Sequence, residues 1–196
     1  MKFSTKLALS ILTLGAAPMA LAALGIGGTA PDFNARASLD GKAFDFKLKD
    51  ALKKGPVVVY FYPSAYTGGC NLQAHTFAVN HDKFAAAKAT VIGVSLDSID
   101  RLNKFSADPE YCAGKVPVAS DPDGKIAKSY DLAVREGKAG MKDTQGNEID
   151  HGFAERTTFI LQQDGKIAAT ITGVKPDENV QQSLAEVQKL SAHAGH

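Results

Sequence analysis

The sequence predicts a single α/β domain in which a central mixed sheet carries helices on both faces. Two apolar runs, Val57–Tyr62 and Thr90–Leu96, favour strands that are buried on both sides, as in the middle of a parallel sheet. A segment of helical periodicity follows each run, and a helix that connects two strands of one sheet places them parallel. Near the C-terminal end, Thr157–Leu161 and Lys166–Thr172 flank a tight turn and predict an antiparallel pair, which makes the sheet mixed.

The predicted elements are separated by glycine, proline and aspartate residues, which favour turns and caps. Before the first central strand we expect a β-hairpin over Asn34–Phe46 and a short helical turn over Lys47–Lys54. After it we expect, in chain order, one or two helices over Asn71–Ala89, the strand Thr90–Leu96, a helix with Ile99, Leu102 and Phe105 on one face, a short strand over Val116–Ala119, and a short helix with Ile126 and Tyr130 on one face.

Capping residues predict where two of the helices begin. Asp97 or Ser98 can cap the helix after the second central strand, because a side-chain oxygen there can accept from an unpaired N–H of the first turn. Asp177 is placed to cap the final helix, which has apolar residues at helical spacing: Val180, Leu184, Val187 and Leu190. The tail that follows, residues 191–196, is expected to fray.

One helix face and one loop complete the predicted domain. In the helix after the first central strand, Leu72, Thr76 and Val79 are expected to line the buried face. Leu132–Ala154 is rich in glycine and charge and shows no clear period. We expect a long loop there, with a turn at residues 145–147 and at most a small hairpin.

The N-terminal residues 1–22 predict a secretory signal peptide. Lys2 and Lys6 precede an apolar stretch, Leu7–Ala22, that ends in the cleavage pattern Ala20-Leu21-Ala22. This stretch has 16 residues, fewer than the roughly 20 that a membrane-spanning helix needs, so a permanent anchor is the weaker alternative. We expect cleavage, a mature domain over residues 23–196, no membrane association afterwards, and a periplasmic or secreted location.

Composition narrows the class of partner. The formal net charge of +1 gives no indication of nucleic-acid binding, and 44% apolar residues are ordinary for a globular domain. The chain has two cysteines, Cys70 and Cys112, which in an exported protein could form a structural disulfide. A domain of this size does not depend on such a link for its core. We expect no metal and no cofactor.

Cys70 is the strongest candidate for a reactive residue. It follows the first central strand through a turn of small residues, Pro63–Gly69, and stands at the beginning of a predicted helix. The unpaired N–H groups and the dipole of a helix N-terminus favour a negative charge. Because the thiolate is the nucleophilic form of cysteine, this position predicts a reactive thiol.

The same stretch resembles a known family. Pro63, Thr67 and Cys70 match the P-x-x-x-T-x-x-C signature of the peroxiredoxins. Other matches occur in the family's chain order: Ala30–Phe33 to its A-P-D-F, Gln73 to its Glu/Gln position, Ser120–Gly124 to its S-D-P-x-G turn, and Arg156 to the arginine before its late strand. The chain is most similar to the bacterioferritin-comigratory, or Q-type, branch, which implies a thioredoxin-like fold.

The resemblance implies a thiol-dependent peroxidase. Cys70 as thiolate would attack a peroxide oxygen and become a sulfenic acid, with the guanidinium of Arg156 and the helix start favouring the thiolate. Thr67 would accept from the substrate and donate to it or to the thiolate, and Pro63 would keep water off the sulfur. Backbone N–H groups near Gly69 would stabilise the leaving oxygen. For Gln73, a solvated position on the helix surface is equally compatible with the sequence.

Cys112 is the candidate resolving thiol. It would attack the Cys70 sulfenic acid and release water, giving a disulfide that a thioredoxin-like donor reduces. The branch often places this cysteine five residues after the first, where this chain has His75, and a subset of the branch places it near Cys112. The alternative is resolution by an external thiol. Peroxide and this donor are the expected partners, and we expect a monomer or weak dimer.

Two other functions of this fold lack their sequence motifs in this chain. A Sco-like copper protein would have a C-x-x-x-C pair, but Ala74 stands at the second position; His193 and His196 belong to the tail. A thioredoxin-type disulfide oxidoreductase would use C-x-x-C, but Gln73 stands there. The chain also departs from the peroxiredoxin pattern in the two glycines before Cys70 and in residues 134–152, which have no clear counterpart.

Overall fold

The computed structural model describes residues 23–193, so the predicted signal peptide lies outside the described residues. The strands are β1 (Asn34–Leu39), β2 (Lys42–Lys47), β3 (Val57–Phe61), β4 (Thr90–Ser95), β5 (Val118–Ser120), β6 (Val134–Arg135), β7 (Phe153–Ala154), β8 (Thr157–Leu161) and β9 (Ile167–Thr172). The helices are α1 (Leu48–Leu52), α2 (Gly68–Val79), α3 (His81–Ala86), α4 (Ile99–Ala107), α5 (Lys125–Ser129) and α6 (Pro176–His193).

Seven strands form the main sheet, in the order β2-β1-β5-β4-β3-β8-β9. β3 pairs parallel with β4, and β4 pairs parallel with β5. The pairs β1–β2, β1–β5, β3–β8 and β8–β9 are antiparallel. The predicted mixed sheet and both predicted hairpins are confirmed. In the first hairpin, Asp40 and Gly41 have φ values of 50° and 74°, as a two-residue turn of this hand requires.

Strand β3 shows how the sheet divides the core. Val58 and Tyr60 pack on one face, while Val57, Val59 and Phe61 pack on the other, because side chains alternate along a strand. Helices α2, α3, α4 and α6 cover the first face, and α1 and α5 cover the second. Helices therefore lie on both faces, as predicted. Within residues 23–193, no helix is long and apolar enough to cross a membrane.

The buried face of α2 differs from the predicted one. Leu72 and Val79 are 45% and 62% exposed, whereas Thr76 is buried as expected. The buried residues of α2 include Cys70, Gln73, Ala74 and Phe77. Because the buried face includes Gln73, it is less apolar in the sequence than the exposed face, which contains Leu72 and Val79.

The bounds of α6 and β5 also differ from the predicted ones. α6 begins at Pro176 and continues to His193, so Asp177 lies in its first turn instead of at the cap, and residues 191–193 are helical. β5 starts two residues later than expected, at Val118. Ser98 is the cap of α4: its hydroxyl oxygen accepts from the N–H of Arg101 at 3.3 Å.

The segment without a counterpart is ordered around two short pairings. β6 pairs with β7, and a single bridge joins Lys142 and Glu148 on either side of a turn at Gly146. The predicted small hairpin is therefore present. Most of residues 136–148 are exposed, but Asp143 is buried. The carboxylate of Asp143 is thus buried in the domain, near the turn that precedes Cys70.

Candidate active site

Cys70 lies in the first turn of α2 and is 2% exposed. The helix begins at Gly68, and its first intrahelical bond runs from the N–H of Asn71 to the carbonyl of Thr67 at 2.8 Å. The N–H groups of Gly68, Gly69 and Cys70 therefore have no partner within the helix. A negative charge on the sulfur, or on an oxygen bound there, is favoured by these donors and by the helix dipole.

Arg156 places a positive charge against the sulfur. It stands between β7 and β8, and its Nη2 donates to Sγ of Cys70 at 3.2 Å. Because β8 pairs with β3 in the middle of the sheet, the start of β8 lies next to the end of β3, from which the turn to Cys70 leaves. The predicted pairing of Arg156 with Cys70 is present in the structure. The positive guanidinium attracts a negative charge on the sulfur beside it.

Gln73 and Asn179 hold Arg156 in place. Gln73 is fully buried, and its Oε1 accepts from Nη1 of Arg156. Its Nε2 donates to Oδ1 of Asn179 at 3.0 Å, and the hydroxyl of Thr158 donates to the same oxygen at 2.7 Å. The solvated alternative for Gln73 is therefore wrong. Asn179 was missed in the sequence; the available signal was a polar residue next to the apolar face of the final helix.

The hydroxyl of Thr67 donates its hydrogen bond within the turn and not to the sulfur. Its Oγ1 donates to the carbonyl of Ser64 at 2.8 Å, so the hydroxyl hydrogen is already used within the turn. The oxygen lone pairs remain able to accept a hydrogen bond. The expectation that Thr67 donates to the thiolate is therefore not met in this structure. Pro63 lies two residues after the end of β3 and is half-buried.

The two glycines before Cys70 have different surroundings. A methyl group on Gly69 would lie 3.2 Å from Nη2 of Arg156 and 3.3 Å from Cγ of Pro176. A methyl group on Gly68 would meet no described atom within 4 Å. Gly69 thus allows the arginine and the start of α6 to approach the helix start closely, while Gly68 has no such function in the packing.

The turn between β3 and α2 is held by side chains from other elements. Asp97 accepts from the N–H of Ala65 at 2.8 Å and from the hydroxyl of Ser64 at 3.1 Å. Arg101 donates to Oδ1 of Asp97 and to the carbonyl of Ala65, at 2.8 and 2.9 Å. Tyr66 has a φ of 58°, which costs a non-glycine residue about 1–2 kcal/mol and persists where its surroundings fix it.

His151 completes this buried polar cluster. Its Nε2 lies 2.8 Å from Oδ1 of Asp97, and its Nδ1 lies 2.7 Å from the carbonyl of Gly152. Both neighbours can only accept, so both bonds form only when His151 is protonated. Burial by itself lowers the pKa of His151, but the bond to Asp97 outweighs it and the pKa is raised. Burial likewise acts to raise the pKa of Asp97, and its bonds outweigh this effect and lower it.

Cys112 lies in the loop after α4 and is fully buried in the same core cluster as Cys70. Both cysteines are free thiols, so the structural disulfide considered from the sequence is not formed in this state. Burial raises the pKa of the Cys112 thiol well above its usual range, and the charge of Asp108 adds to the rise. In this conformation, with Cys112 buried (the closed form), the thiol is therefore held protonated and is a poor nucleophile.

The Cys112 loop packs against the Cys70 turn. The ring of Tyr111 contacts the ring of Tyr66 edge to face, with centroids 5.7 Å apart. On α2, Nδ1 of His75 lies 3.0 Å from the carbonyl of Glu110. Position 75, where the local resolving cysteine of the branch would stand, thus faces the loop that carries Cys112.

The described residues contain no group of three or more histidine, cysteine, aspartate or glutamate side chains placed to hold a metal ion. His193, one of the two tail histidines considered for copper, instead has its Nδ1 2.7 Å from the carbonyl of Lys189 in its own helix. The geometry around Cys70 is that of a single thiol beside a guanidinium. It does not favour the copper-binding alternative.

The amino-acid sequence of this chain matches a known protein family. Residues 26–170 match the model of the AhpC/TSA family. The chain is 34% identical over 161 residues to a putative peroxiredoxin bcp of Helicobacter pylori, which covers 82% of this chain and 96% of that protein. It is 29% identical to the chloroplastic 2-Cys peroxiredoxin BAS1 of Spinacia oleracea, where the match spans 84% of this chain and 59% of the relative.

Solved structures give the same result. The peroxidoxin BcpB of Mycobacterium tuberculosis superposes with a TM-score of 0.69 at 27% identity, covering 84% of this chain and 96% of that one. The bacterioferritin comigratory protein of Xanthomonas campestris, whose structures were described for its alkyl peroxide reduction activity, gives a TM-score of 0.63 at 25% identity, over 80% of this chain and 91% of that one. The thioredoxin-like fold expected from the sequence is confirmed.

Proposed function

The chain belongs to the AhpC/TSA family, in its bacterioferritin-comigratory peroxiredoxin branch, and is thus a thiol-dependent peroxidase; we propose that Cys70 is the thiol that reacts with the peroxide. The observation that carries this assignment is the 3.2 Å contact between Nη2 of Arg156 and Sγ of Cys70, at a helix start with unpaired N–H groups. Hydrogen peroxide and organic hydroperoxides are the proposed substrates.

In the first step the Cys70 sulfur attacks one peroxide oxygen. An S–O bond forms and the O–O bond breaks, so that thiol and hydroperoxide give a sulfenic acid and an alcohol, or water from hydrogen peroxide. Negative charge grows on the leaving oxygen as the O–O bond lengthens. Arg156 and the N–H groups of Gly69 and Cys70 are placed to stabilise it, and these donors are most effective where water is excluded.

Thr67 and Pro63 are proposed to orient the substrate. Since the Thr67 hydroxyl donates to the carbonyl of Ser64, its oxygen is oriented to accept the hydrogen of the peroxide O–H. This bond holds the terminal oxygen of the peroxide beside the sulfur, and the other oxygen is then the one that leaves as alcohol or water. Pro63 has no N–H, so it can flank the site without offering a donor that would compete for the thiolate.

In the second step Cys112 is proposed to resolve the sulfenic acid. Its sulfur attacks Cys70 Sγ, an S–S bond forms, the S–O bond breaks, and water leaves. The raised pKa of the buried Cys112 thiol disfavours this attack in the closed form. The loop must therefore open, and exposure to water then returns the pKa of Cys112 towards its usual value. A thioredoxin-like donor reduces the disulfide.

Location and assembly are proposed on the sequence alone. The signal pattern in residues 1–22 supports export to the periplasm or the medium, without membrane association after cleavage, and we propose a monomer or weak dimer. Expression of the full chain in a Gram-negative host, followed by fractionation and intact mass, should give a periplasmic form that begins at Ala23. Sedimentation of that form tests its assembly.

Intact mass after anaerobic mixing of the reduced protein with hydrogen peroxide tests the two chemical steps. The wild-type chain is expected to lose two hydrogens as the disulfide forms, and Cys112→Ser to gain one oxygen on Cys70. A Cys70→Ser protein that consumes peroxide as fast as the wild type would remove Cys70 from the mechanism. Normal turnover of Cys112→Ser with a thioredoxin-like donor would leave the peroxidase activity and remove the resolving function of Cys112.

A further inference from the structure

The loop over residues 136–148 inserts one side chain into the domain. The Asp143 side chain is completely buried, although most of its neighbours in sequence are exposed. One of its oxygens accepts from the N–H groups of Gln145 and Asn147, at 2.8 and 2.9 Å, which fixes the loop around it. The other accepts from Nη2 of Arg101 at 2.8 Å.

Through Arg101 the loop is connected to the turn before Cys70. The same Nη2 of Arg101 donates to the carbonyl of Ala65 at 2.9 Å, and the guanidinium lies over the ring of Tyr66, 5.4 Å from its centre. Next to Asp143, the N–H and the hydroxyl of Thr144 both donate to the carbonyl of Tyr66 at 2.8 Å. Two consecutive carbonyls of the turn are thus bound by the loop or by the arginine that it holds.

We propose that Asp143, Thr144 and Arg101 form a clasp that holds the Cys70 turn in its peroxide-reactive form and that must release before Cys70 and Cys112 can join. These are positioning residues, because they act on the turn and touch neither sulfur. The proposal rests on the proposed function for the disulfide step. The holding action itself does not depend on that step.

The contacts explain why release of the clasp exposes Cys112. Tyr66 is bound by Thr144 through its carbonyl and packs through its ring on Tyr111, which directly precedes Cys112. Its positive φ is maintained by these contacts and relaxes without them. When the clasp opens, the Tyr66 ring can leave Tyr111, and the Cys112 loop loses the surface that covers it.

The clasp also sets what becomes of the sulfenic acid. While the turn stays closed, the sulfur of the Cys70 sulfenic acid can attack a second hydroperoxide: a second S–O bond forms, the O–O bond breaks, and the products are a sulfinic acid and an alcohol. When the turn opens, Cys112 can form the disulfide and release water. A weaker clasp therefore shifts the products from sulfinic acid towards disulfide.

Labelling of Cys112 in a Cys70→Ser background measures opening without any peroxide chemistry. Asp143→Ala and Thr144→Val are each expected to raise the rate of maleimide labelling by about tenfold, the effect of one lost hydrogen bond to a charged or strained group. Gln145→Ala, at the exposed neighbouring position, is the matched control and should label as the wild type does. Equal labelling rates in all four proteins would overturn the clasp.

A second readout separates the clasp from general stability. This readout uses proteins that retain Cys70. At high peroxide concentration, Thr144→Val should lower the ratio of sulfinic acid to disulfide, measured by intact mass, by about tenfold relative to the wild type. A labelling rate that rises only in proportion to global unfolding in urea, with this ratio unchanged, would contradict the proposal. If Cys112 labels faster in the clasp variants but no protein forms the disulfide, the result would support the clasp and exclude the resolving function of Cys112.

Discussion

Arg156 and Cys70 lie 86 positions apart in the chain, yet Nη2 of the arginine is 3.2 Å from the sulfur. The contact forms because β8, which begins just after Arg156, pairs with β3, which ends just before the Cys70 turn. The guanidinium is itself held by Gln73, a residue of the same helix as Cys70. The position of the guanidinium beside the thiol therefore depends both on the sheet register and on the first turns of α2.

Replacing Arg156 tests the electrostatic part of the mechanism. Arg156→Ala should slow sulfenic acid formation by about 100-fold, the usual effect of removing one donor that stabilises charge in a transition state. Stopped-flow peroxide consumption measures this rate. Arg36→Ala removes a guanidinium from an exposed ion pair with Asp45 and should leave the rate unchanged. Equal rates for Arg156→Ala and the wild type would show that the contact has no catalytic function.

The two glycines offer a matched pair of substitutions. Gly69→Ala places a methyl group against Nη2 of Arg156 and Cγ of Pro176, so the rate of sulfenic acid formation should fall by about tenfold as the guanidinium moves. Gly68→Ala meets no described atom and should keep the rate, while stabilising the helix by about 0.5–1 kcal/mol. The idea fails if both variants react alike in stopped flow.

Asn179 is predicted to affect activity from a distance. Asn179→Ala leaves the buried Nε2 of Gln73 and the hydroxyl of Thr158 without their acceptor, which should cost about 2–3 kcal/mol of unfolding free energy. Because Gln73 then loses the partner that fixes its side chain against Arg156, peroxide consumption should also slow. Ser183→Ala is the control, since this buried hydroxyl donates to the main-chain carbonyl of Asn179 in the same helix. Wild-type peroxidase rates in Asn179→Ala would remove Asn179 from the site.

The pair of His151 and Asp97 predicts a dependence of stability on pH. The raised pKa of His151 gives stability that is present below its ordinary pKa and lost as pH rises through the raised value. The lowered pKa of Asp97 gives stability that is present above its ordinary pKa and lost as pH falls through the lowered value. Both contributions are present between about pH 4 and pH 6.5.

Urea unfolding from pH 5 to pH 8 checks this prediction. The wild-type unfolding free energy should fall towards the alkaline end, since deprotonated His151 cannot donate to both Asp97 and the Gly152 carbonyl. Arg101 also donates to Asp97, so this carboxylate keeps one charged partner after His151 loses its proton. His151→Gln should flatten the fall, whereas His81→Gln, in an exposed pair with Asp82, should keep it. An unchanged slope in His151→Gln would contradict the assignment.

The sequence by itself determined the elements and the candidate for the nucleophile. Apolar runs, turn residues and helical spacing depend on interactions within a few positions, so they located β3, β4, the two hairpins and the helix start at Cys70. The same local signals were misleading on α2. They favoured Leu72 and Val79 as buried, because burial of a glutamine is costly unless a partner binds it, and the partners of Gln73 come from distant parts of the chain.

Tertiary structure decided which groups surround the thiol and what holds them. Pairing of β8 with β3 brought Arg156 to Cys70, packing of α6 brought Asn179 to Gln73, and the loop over residues 136–148 brought Asp143 to Arg101. Each contact joins residues far apart in sequence and depends on strand register and helix packing, which no local pattern encodes. The candidate for the reactive cysteine was therefore readable from the sequence, whereas the contacts that orient and hold its turn were set by the fold.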